Sequence, residues 1–173
     1  MIIKNNEDLL RVECADVLPS EVGELQSLLE LELENSWKLG APGIGLAAPQ
    51  IGIAKKIAII KLNRYKPCDI VLVNASINNG YDEMIFKNEG CLSFPGRLET
   101  TKRFQEIHIN NNLVYPHAFI STGLTAVAIQ HELDHLNQKL FFDNKIEIKN
   151  NKIRPNDICI CGSGKKYKKC CNR

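Results

Sequence analysis

Residues 123–138 run GLTAVAIQHELDHLNQ, and helical spacing puts Leu124, Ala128, His131 and His135 on one face. The two histidines continue an apolar stripe and so point inward. His131-Glu132-Leu133-Asp134-His135 is an HExxH pattern. Imidazoles four residues apart on a helix meet at one metal ion, and the intervening carboxylate can reach a water there as general base. Two core histidines on a buried helix are the plainer alternative. Against it, two imidazoles and a carboxylate are costly to bury unpaired. Hydrolysis at such an ion wants three protein ligands and an open position. No histidine follows His135, and the later acids Asp143, Glu147 and Asp157 are poorly placed. The third ligand is therefore sought upstream, where Cys91 in Glu89-Gly90-Cys91-Leu92-Ser93 is the best candidate. Taken alone, a buried cysteine is more often a small hydrophobe.

Working outward, residues 20–38 (SEVGELQSLLELELENSWK) carry Val22, Leu25, Leu29, Leu33 and Trp37 at three- and four-residue steps, which predicts an amphipathic helix. Pro19-Ser20 marks its start and Gly40-Ala41-Pro42-Gly43 its end. Lys56–Leu62, Asp69–Asn74 and Glu106–Asn110 are rich in Ile and Val beside turn-forming residues, and read as strands. Helix, several strands, then helix indicates an α+β fold rather than a βαβ succession.

The chain has 173 residues, enough for one sizeable core. Its charge is unevenly spread. Residues 1–144 hold 13 Lys and Arg against 18 Asp and Glu, whereas residues 145–173 hold 9 against 2. A mildly acidic body thus precedes a basic tail. The expected organisation is a catalytic body over 1–143, a polar linker over 144–156 and a small module over 157–173. No signal-like or membrane-spanning apolar run is visible, so a soluble cytoplasmic protein is expected. Four of the seven cysteines crowd into Cys159–Cys171. That is metal-ligand spacing in a reducing compartment rather than a disulfide framework.

Three segments together resemble the peptide deformylase family: Gly43-Ile44-Gly45-Leu46-Ala47-Ala48-Pro49-Gln50, Glu89-Gly90-Cys91-Leu92-Ser93 and Gln130-His131-Glu132-Leu133-Asp134-His135-Leu136. The resemblance spans roughly residues 1–143. It implies short antiparallel or mixed sheets packed around a central HExxH helix, and removal of the formyl group from N-formylmethionyl nascent peptides. Cys91, His131 and His135 would hold one metal ion, and Glu132 would be the general base that turns acid. The side-chain amide of Gln50 and the backbone N–H of Leu92 would stabilise the oxyanion. The resemblance further pairs Glu89 with Arg103 as a brace for the cysteine loop. Gly43 and Gly45 would let backbone approach the substrate, although a turn after the first helix would also explain them. Ile44, Leu124, Val127 and Ala128 would line the pocket for the methionine side chain, or simply pack the core. Ferrous iron is the metal the resemblance implies; zinc, nickel and cobalt suit the same ligands. Asn74-Ala75 and Lys87 depart from the family's usual Asn-Pro and apolar residue, away from the chemistry.

Cys159, Cys161, Cys170 and Cys171 offer four thiolates, with Gly162 and Gly164 between the pairs. Tetrahedral zinc with four sulfur ligands would fold so short a segment. The tail resembles the small zinc module at the C-terminus of the SecA translocation motor. A disordered basic tail is the alternative. Lys165, Lys166, Lys168 and Lys169 around Tyr167 favour phosphate backbones or acidic protein surfaces, and hence a ribosomal or acidic partner. A general zinc peptidase would leave the segments at 43–50 and 89–93 unexplained. An inactive scaffold would have no chemical need for Gln50, Cys91, His131, Glu132 and His135 together.

Overall fold

Both stretches of helical periodicity become long helices. After a short helix α1 (Glu7–Leu10) and a 3-10 turn at Pro19–Glu21, α2 runs over Val22–Lys38. Gly40 ends it with φ +77°, a backbone conformation glycine adopts without strain. The computed structural model describes residues 1–63, 69–147, 154–159 and 163–171. Strands β1 (Gly45–Ala47), β2 (Ile57–Ile60) and β3 (Ile70–Val73) form one antiparallel sheet in that order. Strands β4 (Ser76–Cys91), β5 (Phe94–Asn110) and β6 (Ala118–Thr122) form a second. Helix α3 (Gly123–Leu136) follows directly.

The apolar run of β2 is covered on both sides, which is why it lacks polar alternation. Ile57 and Ile59 face α2, where they pack with Leu29 and Leu33. Ala58 and Ile60 face α3 together with Ala47 and Leu72. From the other side Ile107 and Ile109 of β5 close on Ala126, Ile129, Leu133 and Leu136 of α3. The histidine-bearing helix therefore lies between the two sheets. Gln130 fastens it to β5, accepting from Phe104 N and donating to Phe104 O, both at 2.9 Å.

Strand β1 is held from behind. The Trp37 indole N–H donates to the Gly43 carbonyl at 2.7 Å, and Lys61 N donates to the Ile44 carbonyl at 2.8 Å. The buried Lys61 ammonium pairs with Glu34 and lies 5.2 Å from the Trp37 ring centroid. The long β4–β5 hairpin turns at Leu92-Ser93, with Cys91 opposite Phe94. Beneath that turn Leu10, Phe94, Leu140, Phe141 and Phe142 form a third apolar cluster, with Cys91 packed against it.

The expected strand at 106–110 is the end of the longer β5, and β4, β1 and β6 went unread in the sequence. Asn144, Lys145 and Ile146, where the linker was expected to open, are hydrogen-bonded to the body. In the tail, Ile158 pairs with Lys166 and Cys159 N donates to the Lys165 carbonyl at 2.7 Å.

Candidate metal centre

The ends of two elements meet at the site. Cys91 closes β4, while His131 and His135 lie one turn apart on α3. Their ligand atoms all fall within 4.8 Å of one another, and Cys91 Sγ stands 3.3 Å from His135 Nε2. A tetrahedral ion with ordinary metal–sulfur and metal–nitrogen bonds needs a sulfur–nitrogen edge of about 3.5 Å. The donor set and its spacing therefore fit one ion.

The order of these ligands comes from behind. His131 Nδ1 meets Glu89 Oε1 at 2.7 Å, which turns Nε2 toward Cys91 and His135. Glu89, on β4, also accepts from Thr101 and from two nitrogens of Arg103, both on β5. Burial alone would raise the Glu89 pKa, but its bonds to His131 and Arg103 outweigh that and hold it down at about 2. His131 is buried too, yet its bonds to Cys91 and Glu89 hold its pKa well above the ordinary value. His135 is driven the other way, by burial and then by its cationic neighbours, and stays neutral.

Glu132 lies 4% exposed, and burial pushes its carboxyl up to about 7. Among the described residues, Glu132 Oε2 and His135 Nδ1 are the buried side-chain polar atoms without a hydrogen-bond partner. Both belong to the HExxH segment. An orphaned buried acceptor costs about 1–3 kcal/mol unless a ligand meets it. Gln50 faces the same space. Its Oε1 accepts from Ala47 N at 2.8 Å, which aims Nε2 at Cys91 Sγ (3.4 Å) and Ser93 Oγ (3.1 Å).

A cavity of about 160 Å³ opens on these groups, lined by Ile44, Gly45, Leu92, Leu124, Val127 and Ala128 beside Gln50, Cys91, His131 and Glu132. The two glycines serve this crowding directly. A Cβ on Gly45 would collide with the Glu132 carboxylate, and one on Gly43 with the Leu92 side chain. The sequence reading assigned no role to Phe86 and Asn88 in the cavity wall, or to Ser93 and Thr101 around the three candidate ligands. Asp134, which the sequence left open between orienting a neighbouring group and a solvated face, accepts from Arg103 Nη1 at 2.6 Å.

Cys159, Cys170 and Cys171 form a second group whose sulfurs lie within 4.8 Å of one another. Cys161 lies outside the described residues.

The sequence profile of the polypeptide deformylase family matches residues 1–151. The chain belongs to that family. The profile of the SEC-C motif matches residues 156–173 of this deformylase. Peptide deformylase 1 of Pseudomonas syringae pv. tomato is 39% identical over 116 residues, 66% of this chain and 69% of that protein. Peptide deformylase 2 of Xanthomonas campestris pv. campestris is 33% identical over 157 residues, covering 88% and 91%. Among solved structures, the peptide deformylase of Plasmodium falciparum superposes with a TM-score of 0.74 at 29% identity, covering 90% of this chain and 91% of that one. That of Legionella pneumophila gives 0.72 at 33% identity, covering 85% and 86%. The α+β expectation and the family resemblance both hold.

Proposed function

We propose that this chain hydrolyses the formyl group from N-formylmethionyl nascent peptides at an ion held by Cys91, His131 and His135, releasing formate. The observation that carries it is the orphaned Glu132 carboxylate set among those three ligands in an apolar cavity. Deformylases are metal-dependent hydrolases. When bound, the ion would supply a Lewis acid that polarises the formyl carbonyl and acidifies water. Glu132 takes the proton of the attacking water at its carboxylate and returns it to the departing amine nitrogen. Gln50 Nε2, fixed through its own carbonyl by Ala47, and the Leu92 N–H donate to the oxyanion. Ile44, Leu124, Val127 and Ala128 receive the methionine side chain, with Gly43 and Gly45 alongside.

Ferrous iron is the proposed ion; zinc, nickel and cobalt would fit the same donors. In the tail, Cys159, Cys161, Cys170 and Cys171 hold zinc. The lysines around Tyr167 bring the enzyme to ribosomes or another acidic partner. No helix among the described residues is long and apolar enough to cross a membrane. A cytoplasmic enzyme meeting nascent chains suits these features.

The test is formate release from formyl-Met-Ala-Ser by protein purified anaerobically with iron, beside Glu132→Gln. Release by the wild type should fall by about 10²–10⁴-fold in the variant while the ion stays bound. A folded, metal-loaded wild type that releases no formate would refute the assignment. For the tail, equal pelleting of the full chain and Cys170→Ser with ribosomes would remove the tethering role.

A further inference from the structure

Behind His131 a series of polar groups runs to the end of the body. Glu89 Oε2 accepts from the Thr101 hydroxyl and from Arg103 Nε, the latter at 2.9 Å. Arg103 Nη1 continues to Asp134, and Asn144 Nδ2 closes the far end by donating to Asp134 Oδ2 at 2.8 Å. The backbone grips the same place. Lys145 is the antiparallel partner of Thr101, and Ile146 N donates to the Thr100 carbonyl at 2.8 Å. Residues 144–146 therefore hold Thr101 on one side of the Glu89–Arg103 pair and Asp134 on the other.

We propose that residues 144–146 form a strap that keeps Glu89 aligned with His131, making Thr101 and Asn144 positioning residues and coupling the C-terminal segment to retention of the catalytic ion. The proposal rests on Cys91, His131 and His135 being a metal centre. A carboxylate behind a ligating histidine fixes the ring's tautomer and direction. Glu89 can do this only while its own oxygens stay put, and Thr101 and Arg103 hold them. Thr101 is wholly buried, so its hydroxyl is placed by backbone register, which Lys145 completes on the open side. A merely solvated linker would leave the Asn144 amide to water; here it is spent on Asp134.

The full-length protein, loaded with Co(II), is mixed with a chromophoric chelator and metal release is followed in time. The catalytic ion is the phase lost in His135→Ala, which separates it from metal on the tail thiolates. Thr101→Val and Asn144→Asp, the latter setting a carboxylate against Asp134, should each release that ion about 10-fold faster, the low end for groups that orient metal-bound histidines. Asp134→Asn with Asn144→Asp restores an amide–carboxylate pair and should return release toward the wild-type rate. Ile109→Val, which loosens the core away from the strap, should leave it unchanged. Release within about twofold of wild type in folded Thr101→Val and Asn144→Asp would overturn the proposal. Equal acceleration in Ile109→Val would do the same, by reducing the strap to general support. If no phase is lost in His135→Ala, the metal centre itself is wrong and the proposal falls with it.

Discussion

A methyl group added at Gly45 would strike the Glu132 carboxylate, with Cδ only 2.9 Å from the new carbon. Gly45→Ala must then displace the proton-carrying group or the strand it faces. Displacement near 1 Å is enough to lower kcat/KM by about 10²-fold, which formate release would show with folding intact. Glu132 also leaves a pH signature. Its carboxyl rises from 4.5 to about 7 on folding, through burial. Between those values the native state binds the extra proton, so the metal-free protein loses stability as pH rises and loses no more above about 7. Metal-free Glu132→Gln should therefore match wild type near pH 4 and exceed it by about 3 kcal/mol at pH 8, by urea denaturation. A bound cation would shrink that difference. The ligands and Glu132 were legible in the sequence because helical spacing and short motifs carry them. Thr101 and Asp134 were not, since their partners are chosen by the register of β4 against β5 and by the packing of α3.

Helix α3 was readable for a different reason: its apolar positions repeat with the helical period, and both neighbouring sheets bury them. Ile129, wholly buried between the sheets, tests that arrangement. Ile129→Ala should cost about 2–5 kcal/mol in urea unfolding, whereas Ile120→Ala, exposed on β6, should cost about 0.5 kcal/mol or less. The β4 strand escaped the sequence reading because its residues are mostly solvent-facing and polar, as in Asn78-Asn79-Gly80-Tyr81-Asp82-Glu83. Register shifts between Ile77 and Asn79, Phe86 and Glu89, and Gly90 and Cys91 break its alternation as well. Each such shift moves later side chains to the other face, so no period of two survives. One of them delivers Cys91 to α3.

At the scale of the whole molecule, a mildly acidic body precedes a basic, cysteine-rich tail. The tail has few apolar residues to bury, and the sulfurs of Cys159, Cys170 and Cys171 converge within 4.8 Å, so a metal is the proposed source of its order. Cys170→Ser should make residues beyond the strap sensitive to protease, with zinc content reduced. The proposed attachment to ribosomes through the tail lysines predicts binding that weakens steeply with salt in a sedimentation titration.

The sequence contains a single tryptophan, and its indole N–H is bonded to the carbonyl of Gly43, just before β1. The Lys61 ammonium 5.2 Å from its ring makes its surroundings strongly polarised. The enzyme thus carries a built-in optical probe: its ultraviolet emission comes from one indole that reports on β1, so peptide seating could be timed by stopped flow without any label.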